Sequence, residues 1–435
     1  MSLNGGPPRR ITSASLGVVV VLGYFHISVQ KEASRRRDIM RGLRGSGRSV
    51  ACHISAKTTM PRWPPPFPPE IFDLIIDHLQ DEPITLKACC LVSKSWVPRS
   101  RMHIFAHVEF DPVGTPVESW MKAFPDPLSS PAHYTHTLCI RDPGVVPTGA
   151  RTWVRSFRHV RELSVRTFGW KEPRGISPVH LNGLSPTLTS LHLTSFGTSI
   201  SEIIGLICSF PLLEDLSLYS TFETDDDGWT PPPTSPKFAG SLRLRGDNRF
   251  TTRRLLALPD GLHFSTIQLV CHVEDVDLGT IMGLVSKCSG TLESLYLRYY
   301  PLGASLPVST VVQSLTTSSV SSKTPLPLDL SNAVQLKDLE FRWGNANVQW
   351  ITVTLRTVQS RLLRRITLYL HNIRLTPTED SFREWHELDR LLVQLWTSHS
   401  VLPKIIHGNI LEGLVPRLLP EITRRGFACH RVARQ

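Results

Sequence analysis

The sequence predicts an α/β chain: a short helical module, then a long solenoid of strand-and-helix repeats, then a helical cap at the C-terminus. Three observations predict it. Between Phe67 and Phe110, apolar residues recur at helical spacing in three proline-punctuated runs. From residue 130 to 375, a triplet of apolar residues at offsets 0, +3 and +5 returns nine times. From residue 376 onward the pattern changes to one long helical period and a proline-broken apolar run.

The N-terminal segment stands apart in charge. Residues 1–62 hold eleven Lys and Arg against Glu32 and Asp38, a net +9, while the whole chain is +11, so residues 63–435 carry only +2. The basic pI of about 9.5 therefore belongs to this segment. A basic tail suits nucleic acid or an anionic membrane, yet this one lacks the interleaved aromatics of a stacking surface. It reads as a solvated, disordered tail. Residues 11–30 contain no Asp, Glu, Lys or Arg and follow Arg9 and Arg10, as in a signal peptide or signal anchor. Their apolar core, Leu16 to Phe25, is about ten residues long, short of the ~20 that a spanning helix needs. Plentiful Arg and Ser with few acids also suit a mitochondrial presequence. A third reading, the preferred one, is an extension ahead of an alternative start at Met60.

In the helical module, Pro68 and Pro69 precede Glu70, and proline fits a first helical turn because its missing N–H would be unpaired there. Glu70 and Asp73 put negative charge near the positive end of the helix dipole. Ile71, Leu74, Ile75 and Leu79 then draw an apolar stripe, with Phe72 and Ile76 off it. A second run, Leu86, Cys89, Cys90, Leu91 and Val92, follows Pro83. Trp96 comes next, and a third run passes through Met102, Ile104 and Phe105 after Pro98.

These residues resemble an F-box of the fungal type. The match rests on Pro68-Pro69-Glu70-Ile71, Leu74-Ile75, Leu79, Leu86, Cys90-Leu91-Val92-Ser93 and Trp96. Two departures are mild: Lys94 stands where the family usually has Arg, and the opening is Phe-Pro-Pro rather than Leu-Pro. The resemblance implies that residues 67–110 bind a Skp-type adaptor and, through it, a cullin–RING ubiquitin ligase. Pro68, Pro69, Glu70, Ile71, Leu74, Ile75, Leu79, Leu86, Leu91, Val92 and Trp96 are then the adaptor-binding or supporting positions.

The repeat triplets are Val160-Leu163-Val165, Leu188-Leu191-Leu193, Leu213-Leu216-Leu218, Phe264-Ile267-Leu269, Leu292-Leu295-Leu297, Leu336-Leu339-Phe341 and Leu363-Ile366-Leu368. Weaker copies are Thr135-Leu138-Ile140 and Ala239-Leu242-Leu244. Successive anchors lie 25, 28, 25, 26, 25, 28, 44 and 27 residues apart. Leucine-rich repeats run about 20–29 residues around an L-x-x-L-x-L core, so the region is similar to that family. Each L-x-L puts two side chains on one face of a strand. Amphipathic helices are expected over Ile200–Ile207 and Leu278–Val285. The copies are degenerate, because the position eight after each anchor, often Asn in that family, never holds Asn. The 44-residue gap contains a Ser-, Thr- and Pro-rich stretch over 302–331, read as a mobile insertion. Asp225-Asp226-Asp227-Gly228 lacks the alternation and terminal Glu of a calcium loop and reads as a solvated acidic loop. Residues 376–435 are expected to cap the solenoid, beginning with a helix from about Glu379 to Trp396.

The 435 residues, 41% of them apolar, and a mean hydropathy of −0.06 suit a soluble globular protein with ample core. The eight cysteines contain no C-x-x-C pair, and no Cys/His cluster has zinc spacing. They read as buried thiols of a reducing compartment, cytoplasmic or nuclear. His133/His136 and His103/His107 lack the partners of a catalytic or metal motif, and no nucleophile elbow, P-loop or dinucleotide motif occurs. No enzyme activity, cofactor or metal is expected. Nor is a nucleic-acid or membrane partner. The expected function is substrate recognition within an SCF-type ubiquitin ligase, with an unknown protein substrate held by the repeats. The alternatives are a non-ligase repeat scaffold and an interaction protein tethered to a membrane by residues 11–30.

Overall fold

The computed structural model describes residues 68–111, 116–141, 156–167, 181–182, 184–196, 199–221, 229–246, 249–272, 278–300, 327–343, 348–370, 379–407, 413–427 and 429–431. The N-terminal tail, the Asp225–Gly228 loop and residues 302–326 of the expected insertion lie outside these. The chain divides after Ala106 into two compact units, Met1–Ala106 and His107–Gln435. No helix among the described residues is long and apolar enough to cross a membrane.

The first unit consists of α1 (Pro69–His78), α2 (Pro83–Val92), a 3-10 turn (Lys94–Trp96) and α3 (Val97–Ile104). Each helix carries proline in its first turn, where the lost N–H costs nothing. Ser93 leaves the helical region after α2, and its hydroxyl accepts the Ser95 N–H at the start of the turn. The core is Ile76, Leu79, Leu86, Cys89 and Trp96, with Phe72, Ile75 and Ile104 packed against it. The inward row of α1 is therefore Phe72, Ile75, Ile76, Leu79, at i, i+3, i+4 and i+7. Of the apolar stripe read along α1, Ile75 and Leu79 lie in this row, while Ile71 and Leu74 are exposed. The helix is apolar on two sides, and the side bearing Phe72 turns inward because its ring meets Trp96 at a centroid distance of 5.2 Å.

The second unit is one sheet of twelve strands. In chain order its elements are β1 (His107–Phe110), α4 (Val117–Ala123), β2 (Thr137–Arg141), β3 (Glu162–Thr167), β4 (Ser190–Phe196), α5 (Ile200–Cys208), β5 (Asp215–Thr221), β6 (Ser241–Gly246), α6 (Arg249–Leu256), β7 (Thr266–His272), α7 (Leu278–Cys288), β8 (Ser294–Tyr300), β9 (Asp338–Trp343), α8 (Val348–Arg356), β10 (Arg365–Leu370), α9 (Glu379–His399), β11 (Leu402–His407), α10 (Val415–Leu418), α11 (Pro420–Arg424) and β12 (Cys429–Arg431). Every strand pairs with the next in the chain, from β1 to β12, and every pairing is parallel, as β1 to β2 and β11 to β12 illustrate. A parallel sheet in strict chain order is the arrangement of an α/β solenoid, in which each repeat leans on its neighbours.

The nine triplets fall on β2 to β10, each strand starting two residues after its anchor. Leu138, Leu163, Leu191, Leu216, Leu242, Ile267, Leu295, Leu339 and Ile366 form one register row, and none is more than 1% exposed. Burying each such side chain is worth about 1.5–3 kcal/mol, so the row is a continuous source of cohesion. One anchor differs. Ala239 is exposed, and Phe238 beside it is buried against Phe264 with ring centroids 4.9 Å apart. The larger ring fills the space an alanine would leave open.

Backbone bonds stitch the repeats where each strand begins. The amides of Thr189 and Ser190 both donate to the Arg161 carbonyl, those of Glu214 and Asp215 to Thr189, and those of Lys337 and Asp338 to Glu293. Hydroxyls do the same on the return: Ser185 to Arg158, Thr291 to Phe264 and Ser360 to Leu336. Ser and Thr thus satisfy carbonyls at the junctions between repeats.

Three boundaries need correction. The helical module expected over 67–110 stops at Ala106, because Val108 and Phe110 alternate inward as strand residues in register with Leu138 and Ile140. The insertion expected over 302–331 ends earlier, since Leu328 and Leu330 are buried and their amides donate to Thr354 and Thr357. The C-terminal cap of 376–435 is not solely helical. The helix expected there is α9, and beyond it β11 and β12 extend the sheet. At the break, Ser400 takes φ 56° and its N–H donates to the Trp396 carbonyl, a left-handed helix stop. Asp389 of α9, 1% exposed, accepts the N–H groups of Glu421 and Ile422 and so caps α11.

Candidate protein-docking surface

The first unit keeps a complete core and still exposes large apolar side chains. Its core residues lie on α1, α2 and the 3-10 turn. On the other side of α1, Ile71 is 41% and Leu74 57% exposed, and i, i+3 spacing puts them on one face. On α2, Ile84 is 82% and Leu91 89% exposed, two turns apart on one face, with Val92 at 41%. Pro68, Pro69 and Glu70 are exposed at the start of α1. Single exposed apolar residues are ordinary. Two exposed apolar rows on successive short helices make this unit a candidate docking surface.

The expected adaptor-binding residues divide accordingly. Pro68, Pro69, Glu70, Ile71, Leu74, Leu91 and Val92 are at the surface. Ile75 is half-buried against the core, while Leu79, Leu86 and Trp96 belong to it. Those three hold the helices in place and present nothing to a partner. Ile84 was not among the expected residues. Its spacing of seven from Leu91, opposite Leu86 and Cys89, is the signal that places it on the outer row.

A charged cluster ties α1, which carries the first row, to α3. Arg99 of α3 donates through Nε and Nη2 to the two oxygens of Asp77 on α1, at 2.6 and 2.5 Å. His103 Nε2 lies 2.7 Å from Asp77 Oδ1. The Arg99 bonds, and secondarily His103, hold the Asp77 carboxyl down at about 2. Burial pushes the Cys89 thiol up, which suits a core thiol rather than a nucleophile.

No group of three or more His, Cys, Asp or Glu able to hold a metal occurs among the described residues. A cleft of about 550 Å³ includes Phe382, Arg383, His386 and Asp389, but both Asp389 oxygens are occupied by backbone N–H groups. His103 and His133 are satisfied by Asp77 and by the Ser130 carbonyl. Compared with protein-family models and with curated proteins, the chain finds no match in either.

Proposed function

We propose that this chain is a substrate-recognition subunit of an SCF-type cullin–RING ubiquitin ligase. Its first unit docks a Skp-type adaptor, and its repeat unit holds a protein substrate. One observation carries the reading: Ile71, Leu74, Ile84 and Leu91 are exposed on a helical unit that has no use for them in its own core. Burial of such anchors supplies affinity at protein interfaces, and the residues coincide with the segment that resembles an F-box. The second unit, with leucine-rich-repeat-like triplets on successive strands, supplies a long surface for a partner. Catalysis is then positional: the substrate is held beside an enzyme carried by other subunits, which raises its effective concentration. The chain contributes no nucleophile or cofactor in this scheme, and it works in the cytoplasm or nucleus.

The test is capture of a purified Skp-type adaptor by the full chain, with Leu74→Asp and Leu91→Asp alongside. Stoichiometric capture, weakened at least tenfold by each substitution in variants of unchanged melting temperature, is the expected result. A folded wild-type chain that captures no adaptor would overturn the reading. Transfer of ubiquitin to a bound partner in the reconstituted ligase, lost with Leu74→Asp, separates a ligase subunit from a scaffold acting outside a ligase.

A further inference from the structure

The outward face of the sheet is not uniform in charge. On either side of β3 to β6 arginine meets acid: Arg141 bridges Glu109 across β2 and β1, and Arg298 bridges Glu340 across β8 and β9. Between them lies a stretch with cations and no acid in the two central outward rows. One row reads Ser164, His192, Ser217, Arg243 across β3 to β6, and the next reads Arg166, Thr194, Tyr219, Arg245. Arg166, Arg243 and Arg245 are exposed. Arg245 lies over the Tyr219 ring at 4.7 Å, and none of the three makes an ion pair among the described residues.

The neighbouring acids are elsewhere engaged. Asp215 accepts the Ser241 N–H and hydroxyl at 2.6 and 2.7 Å, and Glu162 accepts the Thr137 hydroxyl. His192 sits among the arginines with Nε2 3.2 Å from the Ser190 hydroxyl. Burial first, and then the charge of Arg243, lower its pKa below the usual imidazole value. That shift favours the uncharged ring, which leaves the positive charge of this face on the arginines.

Spacing selects the occupant. Arg166 and Arg245 share a register row three strands apart, about 14 Å at ~4.8 Å per strand. Cations so spread do not converge on one phosphate. An extended peptide advances ~3.4 Å per residue with alternate side chains on one side, so acids at i, i+2 and i+4 span that distance. We propose that the outward face of β3 to β6 docks an extended acidic segment of a protein partner, with carboxylates four residues apart meeting Arg166 on β3 and the Arg243–Arg245 pair on β6. Arginine suits this role because its planar fork takes a carboxylate through two N–H groups. The inference rests on the repeat unit being the substrate-holding part of the proposed ligase subunit, and it names the class of substrate segment.

The test is fluorescence anisotropy of the full chain with a labelled ten-residue peptide bearing Asp at alternate positions. Its Asn counterpart, a singly phosphorylated peptide, an oligouridine of equal charge and vesicles of phosphatidylcholine with phosphatidylserine complete the set. The Asp peptide is expected to bind at least tenfold tighter than the Asn peptide and to weaken as salt rises. Arg166→Glu with Arg243→Glu should cost a further tenfold or more, whereas Arg361→Glu, in a turn off this face, should not. Arg166→Gln with Arg243→Gln serves if the reversed pair melts early. Equal binding of Asp and Asn peptides, or no effect of either Arg pair, overturns the proposal. So does tighter binding of the phosphopeptide, the oligouridine or the vesicles through the same arginines. Adaptor capture measured on the same variants should not change, so failure of this face and failure of the ligase reading are separate results.

Discussion

Asp77 and Arg99, twenty-two residues apart in the chain, are joined by two parallel N–H···O bonds that tie the first helix of the small unit to its third. The carboxyl titrates at about 2 instead of the ordinary 3.8. A depressed acid stabilises the fold above the unfolded value and loses that contribution as pH falls through the folded value. Because the pair is about one-third exposed, solvent screening limits it to about 1 kcal/mol. Asp77→Asn is expected to cost that much at pH 7 in chemical denaturation. The difference from wild type should shrink between pH 4 and pH 2.

Trp96 and Leu91 are five residues apart and should respond oppositely to mutation. Trp96 is 9% exposed and packs on Phe72, so Trp96→Ala should destabilise the small unit by about 3–5 kcal/mol. Leu91 is 89% exposed, so Leu91→Asp should change stability by no more than about 0.5 kcal/mol while abolishing adaptor capture. Equal melting losses for the two would show that Leu91 is part of the fold.

Two glycines give a paired prediction for the repeat unit. A Cβ on Gly240 would sit 2.5 Å from Asp215 Oδ1, the oxygen that accepts from Ser241. Gly240→Ala should displace that carboxylate and cost about 1–3 kcal/mol. Gly205 lies in α5 with nothing within 4 Å of the same position. Gly205→Ala should stabilise by about 0.5–1 kcal/mol, because alanine loses less backbone freedom in a helix. Urea midpoints of the two variants should move in opposite directions.

Much of the repeat unit was legible because its signal is long. Nine triplets at near-constant spacing marked β2 to β10, since an L-x-L that must bury both leucines leaves little freedom of register. β1 carries that signal as Phe105, Val108 and Phe110 but was absorbed into the helical module, whereas the other two strands that escaped lack it. β11 offers Ser400 and Pro403 where leucines would stand, and β12 is three residues long. The α6 helix hid for a related reason: Thr251, Thr252 and Leu255 form its buried face, and threonine does not read as core. In the small unit both faces of α1 are apolar. The pattern marked a helix and could not say which face turns inward, because that depends on Trp96, which lies on another element. The arginines of the outward face were visible one by one, but their grouping around His192 required the register.

Thiol chemistry offers a further check. Burial pushes the Cys208 and Cys288 thiols up to about 11. The thiolate is the reactive form, so at pH 8 both should react with a disulfide reagent far more slowly than a free cysteine does. Reaction should become fast in guanidinium chloride. Mass mapping of the labelled cysteines would locate any exception, and rapid native labelling of Cys288 would contradict its place in the core.

The chain order of the sheet also bears on how the protein is made. Leu163 pairs with Leu191, and Leu191 with Leu216, so each strand rests on the one synthesised just before it. A nascent chain leaving the ribosome can add one rung at a time, because no early strand waits for a distant partner. Order of synthesis and order of assembly coincide, and a ribosome paused partway through the second unit holds a shorter sheet of the same kind.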